Sequence, residues 1–165
     1  MARALFLDFD GTVRTTISGK LPPKRPERIV ILSDVPPVLA LWREAGYLLI
    51  GVTNQGGVAF GFHGEAEARA TTQATVRLLN LHAAYYCPYH PEGTVRAYAI
   101  HHPNRKPAPG MAFTAALDWG LDLLRSAMVG DSAEDEAFAQ AAGIGRYYYR
   151  DQFFGQPVRP EDLEP

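Results

Sequence analysis

Leu5-Phe6-Leu7-Asp8-Phe9-Asp10-Gly11-Thr12 decides how the rest of the chain reads. Leu5 to Leu7 predict a short buried strand, and Gly11 the turn that ends it. The carboxylates of Asp8 and Asp10 then stand at the C-terminal end of a strand, the edge where an open α/β sheet binds ligands. Two like charges so close repel unless a cation or proton lies between them. A hard divalent ion such as Mg²⁺, held by oxygen, meets that need. Taken alone, an Asp-x-Asp pair reads as an acidic turn; the weight comes from segments further along.

Outward from this stretch, residues 13–33 are irregular, and Val13–Ile17 can pair with Arg28–Ile31 as a small hairpin. Arg14, Lys20, Lys24, Arg25 and Arg28 gather there, read as a solvated loop, with contact to an anionic substrate as the alternative. Asp34 is expected to cap a helix that has Pro36 and Pro37 in its first turn and stops at Gly46. Tyr47–Val52 is a continuous apolar run, the pattern of a strand covered on both faces. It ends in Thr53-Asn54-Gln55-Gly56-Gly57. A helix over 64–81, a strand over 83–86, a long connection over 87–110 and a helix ending at Gly120 follow. Ala127–Gly130 predicts a strand that closes on Asp131-Ser132, and a helix over 133–142 leads to a strand over 144–149. Strands alternating with helices give a single Rossmann-like, doubly wound parallel sheet of the α/β class. The domain is expected to span 1–150, with 151–165 as a mobile C-terminal tail.

The 165 residues are enough for one domain with a real core. Apolar residues make up 47% and charged ones 21%, a globular balance. A net charge of −2 gives no global pointer to nucleic acid or to a membrane surface. The single cysteine, Cys87, excludes an intrachain disulfide and fits a reducing compartment. The chain enters its first strand almost at once and carries no apolar run long enough to span a bilayer. A cytoplasmic monomer is the expectation.

Three predicted strands end in polar residues: Asp8 and Asp10, Thr53 and Asn54, and Asp131 with Ser132 and Asp135. Lys106 precedes a helix start. In a parallel sheet these ends share one edge, so the groups can converge. Carboxylates there hold Mg²⁺, while a hydroxyl, backbone N–H groups such as that of Gly11, and a lysine hold a phosphoryl group. A carboxylate can also attack phosphorus and split one hard step into two.

Asp8-Phe9-Asp10-Gly11-Thr12, Thr53-Asn54-Gln55, Lys106-Pro107 and Gly130-Asp131-Ser132 followed by Asp135 resemble the four motifs of the haloacid dehalogenase (HAD) phosphatase superfamily, in the right order. The short insertions resemble its capless branch, without a large cap domain. The resemblance implies a nucleophilic Asp8 that forms an aspartyl-phosphate. It implies an Asp10 that protonates the leaving oxygen and later activates water. Asp8, Asp131 and the backbone carbonyl of Asp10 would bind Mg²⁺, with Asp135 in support. Thr53 and Lys106 would hold the phosphoryl group, and Asn54 would contact phosphate or substrate.

Within the superfamily, residues 53–59, 87–93 and 105–111 are similar to the heptose bisphosphate and histidinol-phosphate phosphatases. The resemblance implies a small phosphorylated metabolite as substrate, with Arg105 as a contact to a second anionic group. Those enzymes carry zinc in the long loop, at positions matching Cys87, Tyr89, His102 and Asn104. Only two of these are good zinc ligands. A rearranged zinc site from Cys87, His90, His101 and His102 is the alternative to a loop without metal. Residues 10–20 also resemble the polynucleotide 3′-phosphatases, for which the basic 14–28 segment would contact nucleic acid. A non-catalytic phosphate-binding module is the rival of another class.

Overall fold

The computed structural model describes residues 1–163. A parallel sheet is built from β1 (Ala4–Leu7), β4 (Leu48–Asn54), β5 (Ala83–Cys87), β6 (Ala127–Gly130) and β7 (Arg146–Tyr149), in the order β5-β4-β1-β6-β7. β1 lies at its centre, pairing Leu5 with both Leu49 and Ala127. A separate two-stranded ribbon pairs β2 (Arg14–Thr15) with β3 (Val30–Ile31). Residues Pro26–Arg28 turn as a short 3₁₀ helix, with Ile29 N–H donating to Pro26 O, so the hairpin is shorter than expected.

The alternation along β1 sorts the core into two layers. Leu5 and Leu7 pack with Leu49, Val129 and α1 (Val35–Glu44), where Trp42 is fully buried. Ala4 and Phe6 face the other way, onto Ile50, Val52 and Met128 beneath α3 (Gly110–Trp119) and α4 (Ala133–Ala142). α2 (Glu65–Leu79) sits beside β5. Helices on both faces and near-continuous apolar strands are the two requirements of a doubly wound parallel sheet. Gly51 permits one close approach, since a Cβ there would collide with the Phe9 ring.

Two expectations need correction. Residues 151–163 are not a loose tail, and the last two residues of the expected tail lie outside the described ones: α5 (Arg150–Gly155) puts Phe153 and Phe154 into the first core layer. Phe153 packs against Trp42 at 5.5 Å, and Trp42 Nε1 donates to Val158 O. Burying two Phe side chains contributes several kcal/mol toward ordering the segment. Asp34 does sit before α1, but its carboxylate does not cap the helix; it accepts from Arg150 Nη2 at 2.7 Å. No helix among the described residues is long and apolar enough to cross a membrane.

Candidate active site

The C-terminal ends of β1, β4 and β6 bring Asp8, Thr53 and Asp131 to one edge, as the alternation of strands and helices requires. Lys106 arrives from the loop before α3. It is buried, and its ammonium donates to Asp8 Oδ1 at 2.8 Å, Asp135 Oδ1 at 2.6 Å and Val52 O at 3.0 Å. Burial alone would depress this ammonium, but the two carboxylates hold it above the usual lysine range. The second oxygen of Asp8 accepts from Thr12 Oγ1 at 2.8 Å. Asp135 Oδ2 accepts from Asp131 N and from Ser132 Oγ, while Ser132 Oγ caps α4 through Asp135 N.

Oxygens of Asp8, Asp131 and Asp135 lie within 4.8 Å of one another, which suits a small cation. Among the described residues this is the sole such cluster of His, Cys, Asp or Glu. Its crowding shows in the acidities. Burial first, then Asp8 and Asp135, push the Asp131 carboxyl up to about 7. Burial also raises Asp8, against the pull of Lys106. Carboxyls this reluctant to ionise together are a donor set short of positive charge, and Mg²⁺ fits it. Asp135 already serves Lys106 and two donors of its own turn, so Asp8 and Asp131 are the side chains with oxygen capacity left for a metal.

Gly11 and Asn54 do different work from that expected, and the candidate zinc ligands stay apart. The Gly11 N–H is not available to phosphate, because it donates to Arg14 O at 3.0 Å. What Gly11 provides is its φ of +81° and an absent side chain, since a Cβ would strike the Asp131 carboxylate. Asn54 has no donor left for a substrate. Its amide nitrogen donates to Lys106 O and Glu134 Oε1, and its oxygen accepts from Lys106 N at 2.9 Å. It is a clamp that fixes the Lys106 backbone. The candidate zinc ligands do not come together. Cys87 is fully buried in the core, His90 packs edge-on to Phe60, and His102 stacks flat on Tyr89 at 4.4 Å. His90 Nδ1 and His102 Nδ1 each accept from a backbone N–H two residues on. Arg105 lines a cavity of about 560 Å³ with His101, His102, Lys106 and Glu134.

Two residues were missed. Arg14, counted with the solvated basic loop, is fully buried, and its Nε donates to Asp10 Oδ1 at 2.7 Å. Gln55 Nε2 donates to Asp10 Oδ2 at 2.9 Å and to Thr53 Oγ1 at 2.8 Å. Asp10 is thus gripped from both sides. The position of Gln55, next to Thr53-Asn54, was the available signal; for Arg14 there was none beyond its spacing of four from Asp10. Lys20, Lys24, Arg25 and Arg28 are exposed, as a solvated loop requires.

The family model for HAD-like hydrolases matches residues 103–155, the stretch that carries Lys106, Asp131 and Asp135. The D-glycero-β-D-manno-heptose-1,7-bisphosphate 7-phosphatase of Rhodopseudomonas palustris is 37% identical over 86% of this chain and 79% of its own. The chain belongs to the HAD superfamily of phosphatases. Among solved structures, a HAD-like phosphatase of Mesorhizobium loti superposes with a TM-score of 0.77 at 36% identity, over 86% of this chain and 69% of that one. The D,D-heptose 1,7-bisphosphate phosphatase of B. bronchiseptica, complexed with magnesium and phosphate, gives 0.73 at 26% identity, over 96% and 89%. As a HAD phosphatase the chain is a phosphoric monoester hydrolase, and the described residues form no large cap over the strand ends.

Proposed function

We propose that this enzyme hydrolyses a phosphomonoester of a small sugar phosphate, with a heptose bisphosphate as the first substrate to test and histidinol phosphate as the second. The observation that carries the reading is the Asp8–Lys106–Asp135 chain of ion pairs at the end of β1, next to Asp131. A carboxylate, a fixed cation and an oxygen set suited to a metal side by side support the assignment of Asp8 as the nucleophile. The substrate class rests on the relatives, whose names specify heptose bisphosphate.

Asp8 and Asp131, with the backbone carbonyl of Asp10, would hold Mg²⁺. When bound, the ion neutralises phosphoryl charge and orients the group for in-line attack. In the first half-reaction a carboxylate oxygen of Asp8 bonds to phosphorus. The bond to the sugar oxygen breaks, and Asp10 gives that oxygen a proton. In the second half-reaction water attacks phosphorus, Asp10 takes the water proton, and the bond to Asp8 breaks to release phosphate. Lys106 already lies against Asp8, so charge on the transferred group develops beside an ammonium whose protonation is secured. Thr53 Oγ1 accepts from Gln55, which leaves its own hydrogen to donate to a phosphoryl oxygen. Arg105, on the cavity it shares with Lys106, contacts the second anionic group of the substrate.

The test is phosphate release with Mg²⁺ across a panel of heptose bisphosphate, histidinol phosphate, other sugar phosphates and a 3′-phosphorylated oligonucleotide. Preference for the heptose bisphosphate, abolished in Asp8→Asn, is the expected result. Preference for the oligonucleotide would overturn the substrate class and turn the exposed Lys20–Arg28 loop into a nucleic-acid contact. Turnover that survives Asp8→Asn would overturn the mechanism.

A further inference from the structure

Arg14 is a charged side chain with no exposed surface that makes no contact with the metal-binding carboxylates. Burying a guanidinium costs free energy that a single ion pair rarely returns. One of its nitrogens, Nη2, is buried without a partner. An arginine kept on these terms is poorly explained by stability. Its other contacts describe a bracket. Nη1 donates to Thr71 O at 3.1 Å and to Thr75 Oγ1 at 2.9 Å, both on α2. The guanidinium carbon lies 5.1 Å from the centre of the Phe9 ring. The head group is fixed by a helix and an aromatic face, and its Nε is left for Asp10 Oδ1 at 2.7 Å.

The two oxygens of Asp10 are therefore not equivalent. Oδ1 is turned inward to a fixed cation. Oδ2 is bonded to the Gln55 amide, and that same nitrogen bonds Thr53 Oγ1, so Oδ2 lies on the Thr53 side of the carboxylate. The Asp10 side chain keeps 19% of its surface exposed, so the carboxyl is not sealed off as Arg14 is. A neutral amide shared between two acceptors is also the weaker of the two holds, because a charge-assisted hydrogen bond is roughly twice as strong as a neutral one.

We infer that Arg14 is a positioning residue that anchors Asp10 through Oδ1 and thereby assigns proton transfer to Oδ2. This rests on the acid–base role given to Asp10 above. In phosphorylation of Asp8, the O–H of Asp10 Oδ2 passes its proton to the leaving sugar oxygen as the P–O bond breaks. In dephosphorylation, Oδ2 takes a proton from the attacking water as the water oxygen bonds to phosphorus. The acid is then restored for the next turnover. Arg14 exchanges no proton in either step. It keeps the carboxyl plane fixed while the Gln55 hold on Oδ2 is made and released.

The leaving group distinguishes this role from a purely structural one. Proton donation matters for an alkoxide leaving group and hardly at all for p-nitrophenolate, which leaves without help. kcat/KM reports the phosphorylation half-reaction alone, for either ester. Arg14→Met and Arg14→Lys are compared with the parent enzyme on the preferred sugar phosphate and on p-nitrophenyl phosphate. Circular dichroism and Tm measurements on each variant record folding. Arg14→Met should lose on the order of 10²-fold in kcat/KM on the sugar phosphate but only a few-fold on the aryl ester. KM for the sugar phosphate should stay close to parental. Arg14→Lys keeps the charge near Oδ1 but cannot also bridge to Thr71 and Thr75, so it should recover part of the loss. Equal losses on both esters, or none on either, would overturn the inference. Asp10→Asn is the control for the reading beneath it. If that variant discriminates between the esters and Arg14→Met does not, the Arg14 role alone falls. If Asp10→Asn does not discriminate, the acid–base role of Asp10 falls first.

Discussion

Lys106→Met tests the centre of the site most severely. Lys106 is 3% exposed and stands between Asp8 at 7% and Asp135 at 2%, and among the described residues its ammonium is the one cation bonded to both of these buried carboxylates. Methionine keeps much of the side-chain volume and removes the charge. Taking one partner from a buried ion pair costs about 3–5 kcal/mol, because the remaining charge is left uncompensated. Unfolding entropy of about 2.1 cal/mol/K per residue gives roughly 0.35 kcal/mol/K for a chain of 165 residues. The expected fall in Tm is then roughly 9–14 °C in metal-free buffer at pH 7.5. The deficit should shrink on going to pH 5, where the stranded carboxyls can take up protons. It should also shrink with excess Mg²⁺, which binds the folded site and replaces part of the missing charge. Calorimetry of both proteins at the two pH values, with and without Mg²⁺, reads all of this out. A loss below about 1 kcal/mol, or a deficit unmoved by pH and Mg²⁺, would refute the claim that Lys106 neutralises this pair.

Three further outcomes follow from the same geometry. Burial raises the folded-state pKa of Asp8 and of Asp131 above the unfolded values, that of Asp131 to about 7. The folded state therefore takes up protons first. The metal-free enzyme should lose stability as pH rises from the ordinary carboxylate range to about 7, and Mg²⁺ should raise Tm more at pH 7.5 than at pH 5. Equal shifts at both pH values would count against the cluster as the metal site. Gly11→Ala forces a side chain into a backbone with φ +81° and against the Asp131 carboxylate, costing about 1–2 kcal/mol for the backbone alone. The Mg²⁺ concentration for half-maximal activity should rise as well; an unchanged requirement would separate Gly11 from the metal site. Phe153→Ala should destabilise by about 3–5 kcal/mol in urea titration, and a loss under 1 kcal/mol would return α5 to the status of an appendage.

The parts of this molecule that were legible in its sequence are those written in the backbone pattern. Leu5–Leu7, Tyr47–Val52 and Ala127–Gly130 are apolar runs that stop at polar residues, and a parallel sheet leaves such strand ends one edge on which to meet. Asp8, Thr53 and Asp131 follow from that rule, and Lys106 and Asp135 from the motifs that accompany it. Two of the errors, at Arg14 and Asn54, fall where a polar side chain is taken up by a contact far away in the chain. Nothing local distinguishes Arg14 from Arg25, yet one is sealed against α2 residues more than fifty positions later and the other is in water. The family resemblance implies a contact from Asn54 to phosphate or substrate, and only the Lys106 loop, folded against it, shows that its donors are already taken. Phe153 and Phe154 did carry a signal, two adjacent aromatics in a stretch read as a tail, and the prolines and charges around them masked it. A buried polar group must find partners wherever the fold supplies them. Motifs therefore give the residues that meet the substrate, while the residues that hold them in place must be sought among buried hydrogen bonds. Arg14 and Gln55, on the two sides of Asp10, are the case where that second layer bears directly on a proton transfer.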